Sequence, residues 1–429
     1  MDNFFDLAAA AALLILTAFL LVLLFEPGLP YRLSMPRSPI DSARFVNFLS
    51  AIVNARLFYA RGVEVLSSGE AIYAAQLEAI RGAKQSVHLE VYLFLRGTIG
   101  DQMLEALSER ARSGVAVRLV VDRVGSLSTP TRYFDTLKNC GGQVRWYQPI
   151  AWYTLKRFNN RTHRDLLIVD GETGFIGGVG VADYWIGARE GGRPWRDTAV
   201  RLSGDLVKGL QTSFAENWLE SAGEILSENE FLRPGDSEAQ SVTSGPGVGM
   251  VVNSTPSAGR STRARMLFRV LLASARESID ITSPYFLPDL SLTNELIGAV
   301  KRGVKVTVLM PGKWNNHPIA RLASRRRYGT LLYGGIDIHE YQPTMIHAKV
   351  LIVDRTWSVV GSTNFDNRSF GLNDEVNVAI LDADLAARLR ADFVRDLELS
   401  RRITFEEWQR RSFTEKSLAT LGRLLERQE

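Results

Sequence analysis

Two segments of the chain place a histidine at the start of an apolar run that ends in aspartate, and the later one has the more complete chemistry. His347 and Lys349 are two residues apart, so on an extended strand their side chains point to the same face. An imidazole and a fixed cation on one face can act together on an anionic group such as a phosphate. The run ends at Asp354, and the small polar residues Ser362 and Asn364 follow in a turn that could complete the site.

The earlier segment repeats this design. His163 is followed by Asp165, by an apolar run that ends at Asp170, and then by Gly177 and Gly178. The spacing from the histidine to the final aspartate, and to the glycine of the turn, is the same in both segments. One histidine in a strand is more often a core residue than a catalytic one. Two copies in register indicate an internal repeat instead.

The duplicated pattern, H-x-K-x4-D followed by G-S-x-N, resembles the phospholipase D superfamily. The surrounding residues resemble its bacterial cardiolipin synthase branch, in the segments 88–94, 195–198, 283–288 and 335–341. The resemblance extends over about 63–397. It implies an α/β fold of two tandem repeats, each a mixed sheet flanked by helices, that form a bilobal unit with pseudo-two-fold symmetry. The first motif departs from the family, because Asp165 replaces lysine and Gly180 stands where asparagine is frequent.

The resemblance implies that both motifs meet in one site and split a phosphodiester through a phosphohistidine. One imidazole attacks phosphorus, and the other protonates the leaving oxygen and then deprotonates the incoming hydroxyl. The family usually takes its nucleophile from the N-terminal motif, so His163 is the default, and the reverse assignment to His347 stays open. Asp170 and Asp354 complete the two catalytic motifs. No cofactor and no metal are expected, because the five histidines are scattered and no acidic cluster has ligand spacing.

The resemblance also implies supporting residues. Glu375 follows the second motif, and Asp197 follows the first in a Trp-Arg-Asp-Thr segment; each would orient a histidine through its other ring nitrogen. The alternative for both is a carboxylate that only caps or pairs near the start of a strand. Gly178, Ser362 and Asn364 would bind or support the phosphate.

Asp165 is the main departure from the family pattern. An anion in the place of a cation beside a phosphate removes an attraction and adds a repulsion. Arg161 or Arg164 could substitute, although Arg164 should face away from His163. Alternatively the site is asymmetric and Lys349 is its main cation, or the first half is inactive and the protein only binds lipid. We favour the asymmetric site.

The elements around the motifs follow one order in both repeats. The first is predicted as helix 69–83, strand 86–94, helix 101–113 and strand 115–122; the second as helix 262–276, strand 278–286, helix 292–302 and strand 304–311. Strands that alternate with helices predict a mixed sheet with helices on both faces. The expected domains are a connector at 26–62 that is irregular apart from a short helix, a first repeat at 63–234, a Gly/Ser/Pro-rich linker at 235–261, a second repeat at 262–400, and a C-terminal amphipathic helix at 401–429.

A stretch near the N-terminus is predicted to cross a membrane. Residues 7–25 follow a short segment, 1–6, and are nineteen uncharged, mostly apolar residues, about the length that spans a ~30 Å hydrocarbon core. A signal peptide is the alternative, but residues 1–6 contain no lysine or arginine. Arginines follow the stretch and aspartates precede it, so the positive-inside rule places the two repeats on the cytoplasmic side of the inner membrane.

Composition and resemblance together favour an enzyme of lipid metabolism. A hydrophobic fraction of 45% and a charged fraction of 23% are typical of a folded protein, and the net charge is only +4. The resemblance and the span imply a membrane-anchored cardiolipin synthase type of enzyme, which joins two phosphatidylglycerols and releases glycerol. The alternatives are a phospholipase D that uses water or another alcohol, and a lipid-binding pseudoenzyme. A nuclease is least favoured, so anionic phospholipid and not nucleic acid is the expected partner; the oligomeric state is left open.

Overall fold

The computed structural model describes residues 5–7, 10–17, 38–60, 62–149, 159–187, 192–231, 247–256 and 262–411. Within these ranges the chain forms two mixed β-sheets. The seven-stranded sheet has the order β2-β8-β7-β6-β3-β4-β5. Its strands are β2 (Val63–Leu66), β3 (Ser86–Val91), β4 (Ala116–Asp122), β5 (Gln143–Tyr147), β6 (Asp165–Val169), β7 (Thr173–Gly177) and β8 (Ala199–Ser203).

The second sheet has nine strands in the order β1-β9-β15-β14-β13-β10-β11-β12-β16. These strands are β1 (Phe58–Tyr59), β9 (Val248–Ser254), β10 (Ser278–Thr282), β11 (Lys305–Pro311), β12 (Asp337–Tyr341), β13 (Val350–Val353), β14 (Trp357–Gly361), β15 (Glu375–Leu381) and β16 (Ser400–Ile403).

From residue 38 onward, the described part of the chain forms the α-helices α1 (Ala43–Val53), α2 (Gly69–Gly82), α3 (Thr98–Arg112), α4 (Asp135–Asn139), α5 (Leu206–Ala222), α6 (Glu228–Phe231), α7 (Arg263–Ser274), α8 (Leu290–Lys301), α9 (Pro318–Tyr333), α10 (Ala383–Glu398) and α11 (Phe405–Gln409). Amphipathic spacing and local caps explain several of them. The hydroxyl of Ser68 caps α2, and the carboxylate of Asp289 caps α8, each by accepting a backbone N–H of the first turn.

The two sheets repeat one topology. In order, β2, β8, β7, β6, β3, β4 and β5 correspond to β9, β15, β14, β13, β10, β11 and β12, and every pairing has the same direction in both sheets. Four antiparallel pairs are followed by two parallel pairs. β1 and β16 extend only the second sheet. The prediction of two mixed α/β repeats is therefore confirmed.

A shared hydrophobic core lies between the sheets. Ile168 and Ile176 of the first sheet are buried in one cluster with Ile352 and Val378 of the second, and Trp218 of α5 joins them. Alternate residues of the same strands point to the opposite faces, where helices cover them. Because the two sheets pack through their inner faces, the starts of β6 and β13, which carry the two motifs, can meet.

The predicted linker is wrong in its middle part. Residues 248–254 form β9, which pairs with β15 over seven residues and is buried throughout. Val248 and Val252 enter the core of the second repeat, while Val251 enters the core between the sheets. This burial stabilises a strand, although the glycines and serines nearby favour an irregular linker. In the repeat, β9 is the counterpart of β2. Residues 235–246 and 257–261 of the predicted linker lie outside the described residues.

The described part of the connector contains the predicted short helix, α1, whose Phe45, Val46 and Leu49 are buried in the core of the second repeat. The predicted boundary at residue 401 differs from the structure. The predicted C-terminal helix begins instead with β16, because Ile403 is buried and pairs with β12. The short helix α11 follows. Residues 26–37 and 412–429 lie outside the described part of the chain.

The predicted membrane span is described only in part. Residue 7 and residues 10–17 are helical and exposed, and the remainder of 7–25 lies outside the described residues. Among the residues that are described, the model contains no helix with the length and apolarity needed to cross a bilayer.

Candidate active site

The backbone of each motif histidine is bound to the opposite repeat. The N–H of His163 donates to the carbonyl of Asp374 at 2.9 Å, and the N–H of His347 donates to the carbonyl of Arg196 at 2.7 Å. Short parallel bridges accompany these bonds. The two histidines are therefore held at the same boundary between the repeats, as the resemblance implies.

The carboxylates cross between the motifs. Nδ1 of His163 lies 3.2 Å from Glu375, which follows the second motif. Nδ1 of His347 lies 3.1 Å from Asp197, which follows the first. With Nδ1–H directed at a carboxylate, Nε2 of each ring is left for chemistry, a tautomer that follows from these contacts. The sequence predicted both carboxylates but not that each serves the opposite motif.

Gly178 and Ser362 occupy equivalent positions, and each carbonyl lies near Nδ1 of the opposite histidine, at 3.0 and 3.1 Å. The Ser362 hydroxyl donates to Glu375, so it positions a carboxylate, whereas the sequence predicted phosphate support. A Cβ at Gly178 would lie 2.8 Å from Nζ of Lys349 and 3.0 Å from Asp197. Only glycine fits there without displacing the site.

Lys349 brings a buried cation to one side of the site. Its Nζ lies 3.1 Å from Nε2 of His347 and donates to the carbonyl of the same residue at 2.7 Å. Burial lowers the pKa of Lys349 to about 8, against the attraction of Asp197 and Asp165. At neutral pH the Lys349 side chain is therefore protonated in most molecules.

Asp165 brings a carboxylate to the site on the side of the first motif. Its side chain is buried and accepts the backbone N–H of Tyr92 at 3.1 Å. Burial raises its pKa to about 6, while the charges of His163 and Lys349 act to lower it. Above that pH the first motif contributes a negative charge where the second contributes a positive one.

The two arginines that could have replaced the missing lysine are engaged elsewhere. Arg164 is fully buried and donates to Glu216 at 3.1 Å, so it points away from His163 as predicted. Arg161 donates to the carbonyl of Gln148 at 3.1 Å. Neither is among the described residues that line the cavity. Lys349 does not line it in the described structure either, but its Nζ lies 3.1 Å from Nε2 of the cavity-lining His347, so it is the motif cation beside an imidazole of the site.

Neighbouring charges separate the pKa values of the two histidines. Burial acts to lower the pKa of His163, but the charge and hydrogen bond of Glu375 outweigh it and hold the pKa above 6.5. Around His347, burial and the Lys349 ammonium together lower the pKa to about 4, against the opposing effect of Asp197. These shifts favour the imidazolium form at His163 and the neutral imidazole at His347.

A cavity of about 430 Å³ exposes both rings. From the predicted site, its lining contains His163, Asp165, Gly178 and His347. Residues that the sequence analysis did not assign also line it, among them Tyr92, Trp185, Trp195, Tyr285, Asp366 and Arg368. Tyr92, Trp195 and Tyr285 lie in the segments that carry the family resemblance, which was the available indication of their importance.

Asp366 and Arg368 follow the second motif and add opposite charges to the cavity wall. Burial raises the pKa of Asp366 to about 7, and its carboxylate accepts the backbone N–H of Ser369 at 2.7 Å. Arg368 donates to the side chain of Asn159 at 2.9 Å. Within the described residues, no three histidine, cysteine or acidic side chains are arranged to hold a metal ion.

Asp170 and Asp354, predicted as catalytic, have a structural role instead. Each carboxylate accepts three consecutive backbone N–H groups at 2.7–3.1 Å, that of Asp170 at the start of β3 and that of Asp354 at the start of β10. Both residues have positive φ, 53° and 49°, which aspartate tolerates better than most residues. A separation of seven extended residues places each about 20 Å from its motif histidine. Neither lines the cavity in the described structure.

Asn364, predicted to support the phosphate, is buried. Its backbone N–H donates to the Ser369 hydroxyl at 3.1 Å, and its side-chain oxygen has no hydrogen-bond partner among the described residues. It belongs to the turn that carries Ser362 and Asp366 and is not among the cavity-lining residues of the described structure.

Comparison with known proteins assigns the chain to a family. The model of the family described as "Cardiolipin synthase, PLD-like domain" matches residues 77–183 and 268–397, more than half of the chain. A cardiolipin synthase of Alkalihalophilus pseudofirmus is 33% identical over 372 residues, which are 84% of this chain and 71% of that protein. The chain belongs to the cardiolipin synthase family of phospholipase D-like proteins. Both matched segments contain a motif histidine, so the family domain is present twice.

Two further comparisons agree with membership of the cardiolipin synthase family. The probable cardiolipin synthase YwiE of Bacillus subtilis is 31% identical over 386 residues, 90% of this chain and 75% of that protein. Among solved structures, a phosphatidylserine synthase of Haemophilus influenzae superposes with a TM-score of 0.71 at 13% identity and covers 89% of this chain and 98% of its own. At that identity the likeness concerns the fold alone.

Proposed function

We propose that this protein is a cardiolipin synthase that transfers a phosphatidyl group from one phosphatidylglycerol to a hydroxyl of a second and releases glycerol. The observation that carries the proposal is the pairing of His163 and His347 in one cavity, each oriented by a carboxylate of the opposite repeat. Two imidazoles in one site provide the nucleophile and the proton carrier that transfer through a phosphohistidine requires. The names of the similar proteins supply the lipid class.

The cavity has the groups that a phosphodiester needs. Arg368 lines the cavity, and the buried Lys349 ammonium lies 3.1 Å from Nε2 of the cavity-lining His347. Cations in these positions stabilise an anionic phosphate with two ester arms. Tyr285, Trp185 and Trp195 provide an apolar wall on the side of His347. The carboxylates of Asp165 and Asp366 can accept hydrogen bonds from the hydroxyl groups of a glycerol headgroup.

The proposal includes a membrane location. Residues 7–25 are apolar enough in sequence to anchor the chain, and by the positive-inside rule the arginines that follow support a cytoplasmic position for the two repeats. A lipid substrate gives this anchor a purpose, because it holds the cavity near the donor and the acceptor. Protease protection of the two repeats in right-side-out membrane vesicles, followed by accessibility in inverted vesicles, tests this orientation.

The experiment on function measures lipid products by mass spectrometry. Purified full-length protein is added to phosphatidylglycerol vesicles in the presence of EDTA, beside a His347→Ala variant and a Lys301→Met variant that changes only an exposed helix residue. We expect wild type and Lys301→Met to form the same amount of cardiolipin, with one glycerol released for each cardiolipin. His347→Ala should form neither product.

Other products would change the function. Phosphatidic acid without cardiolipin would identify a hydrolase, and a mixed phosphodiester formed only when another alcohol is supplied would identify a different acceptor. No product with phosphatidylglycerol or phosphatidylethanolamine, with EDTA or with magnesium, would contradict the enzymatic function and favour the lipid-binding pseudoenzyme that Asp165 suggests.

A further inference from the structure

We propose that His347 is the nucleophile and that His163 is the general acid and base, which reverses the default assignment in the family. This inference rests on the proposed phosphatidyl transfer. It comes from a difference between the two rings: they share one cavity and equivalent backbone positions, but their neighbours differ in charge and in polarity.

Anionic groups dominate the surroundings of His163. Glu375 lies 3.2 Å from its Nδ1, and Asp165, two residues along the same strand face, lines the same cavity. The charged groups that face this ring are Glu375, Asp165 and Asp366, opposed by Lys349 and Arg368. The first motif itself supplies no cation. Carboxylates stabilise an imidazolium, and only an imidazolium can donate a proton from Nε2 to a leaving oxygen.

His347 has the opposite surroundings. The Lys349 ammonium lies 2.9 Å from Nδ1 and 3.1 Å from Nε2, and Asp197 is the carboxylate within hydrogen-bond distance of Nδ1 in the described structure. A cation this close disfavours protonation of the ring, so Nε2 retains its lone pair for attack. The same ammonium would then lie beside the oxygens of a phosphoryl group on Nε2.

The aromatic residues also distinguish the two ends of the cavity. Around the His347 ring, the centroids of Trp195, Trp185 and Tyr285 lie at 5.5, 5.6 and 6.5 Å. Such a wall restricts the approach of water to a phosphohistidine, so that an alcohol competes better with hydrolysis. At the other end one aromatic ring, that of Tyr92, lies 5.3 Å from the His163 ring. The cavity lining also contains the polar residues Asp165, Asp366, Arg368 and Asn373, to which hydroxyl groups can bind and with which they can exchange protons.

The transfer then has two balanced steps. In the first, Nε2 of His347 forms a bond to phosphorus, the bond from phosphorus to the glycerol oxygen breaks, and the Nε2 proton of His163 moves to that oxygen. In the second, the hydroxyl of another phosphatidylglycerol gives its proton to the now neutral His163. Its oxygen bonds to phosphorus, and the bonding pair returns to Nε2 of His347.

The first test locates the covalent intermediate in the wild-type protein. Phosphatidylglycerol labelled at phosphorus is mixed with the full-length protein and the reaction is quenched in alkali, in which a phosphohistidine survives. A protease that leaves His163 and His347 on separate peptides is then used. We expect the label on the His347 peptide. Label on the His163 peptide would overturn the proposal, whatever the final lipid product is.

The second test uses phosphatidyl-p-nitrophenol, whose leaving group departs without a proton. His163→Ala should release about one equivalent of p-nitrophenol in a burst and then stop, because attack is intact but the acceptor is not deprotonated. His347→Ala should show no burst. A burst from His347→Ala but not from His163→Ala would overturn the assignment, and His163→Gln and His347→Gln provide a second pair if an alanine variant does not fold.

The two proposals can fail separately. If wild type shows the burst and the labelled His347 peptide but makes no cardiolipin from phosphatidylglycerol, the roles of the histidines hold and the proposed acceptor is wrong. If cardiolipin forms and the label is on His163, the function holds and the reversed roles are wrong.

Discussion

The two halves of the active site have one backbone and different charges. His163 and His347 make equivalent hydrogen bonds to the opposite repeat, through a backbone N–H and through a carboxylate at Nδ1. Two residues beyond, Asp165 faces the cavity in one half where Lys349 accompanies the histidine in the other. The duplicated scaffold fixes positions, and the residues beside the histidines set their protonation. A repeat can therefore retain its geometry while its two copies acquire different chemical roles.

This comparison changes the interpretation of Asp165. In a site that needed two equal halves, an anion beside the first histidine would be a defect. In a site that needs one imidazolium and one neutral imidazole, Asp165 and Glu375 support the first and Lys349 the second. The asymmetric site favoured from the sequence thus has a physical advantage, which six variants can test.

The largest effect is expected from Glu375→Gln. Without this carboxylate, the pKa of His163 should fall, since burial then acts without its main opponent. The imidazolium exists below the folded pKa and is lost as the pH rises, so the alkaline limb of kcat/KM should move to lower pH. The rate at pH 8 should fall by about 10²–10⁴. The exposed Glu398→Gln is the control, and an unchanged alkaline limb would contradict the account.

Gly178→Ser gives the first repeat the residue that the second repeat has at the equivalent position, Ser362. It tests whether the two halves of the site can be identical there. A Cβ there would meet Nζ of Lys349 at 2.8 Å and the His347 carbonyl at 2.9 Å. A displacement of about 1 Å costs roughly 10²-fold in rate. Steady-state kinetics beside Gly82→Ser, a glycine with open space around it, measures the effect. Wild-type activity in Gly178→Ser would show that the packing at this position is not required.

Asp165→Lys restores the family pattern and should nevertheless lower activity. A cation near His163 lowers its pKa by about one unit or more, so activity above neutral pH should fall about tenfold, while Asp165→Asn should fall less. Asp165→Asn only removes the negative charge, whereas Asp165→Lys also adds a positive one. Comparing the pH profiles of the two variants therefore separates the two effects. If Asp165→Lys were more active than wild type, the first half would be a damaged copy and the asymmetric account would be wrong.

Asp170→Asn and Asp354→Asn should have the smallest effect on catalysis. Each carboxylate accepts three backbone N–H groups far from the cavity, and weakening such charge-assisted bonds costs about 1–3 kcal/mol of unfolding free energy. Denaturant unfolding should show this loss in both variants to a similar degree, with kcat of the folded protein close to wild type. A loss of kcat without a loss of stability would return these residues to a catalytic role.

The sequence predicted the repeat and most of its elements because the pattern is local. The strands predicted at 115–122 and 304–311 correspond within one residue to β4 and β11, and the equal spacing after His163 and His347 predicted two equivalent strands. The span of β9 was missed because glycine, serine and proline surround it, and its burial depends on pairing with β15. Composition alone does not show such long-range pairing.

The sequence predicted the two histidines of the site, but it did not predict which carboxylate contacts which histidine. That Glu375 orients His163, and not the histidine of its own motif, depends on how the two sheets pack. Asp170 and Asp354 were assigned to catalysis by motif, although a strand of this length already separates them from the histidines. Arg368 and Asp366 follow the second motif in sequence, and only the fold places them on the cavity wall.

The most direct measurement is the titration of the histidines by NMR in protein labelled at the imidazole ring. The chain has five histidines, and His163→Gln and His347→Gln assign the two signals of interest. We predict that His163 titrates above 6.5 and that His347 stays neutral until the pH approaches about 4. If His347 carries the imidazolium at neutral pH and His163 is neutral, the account of two halves with opposite charge is contradicted.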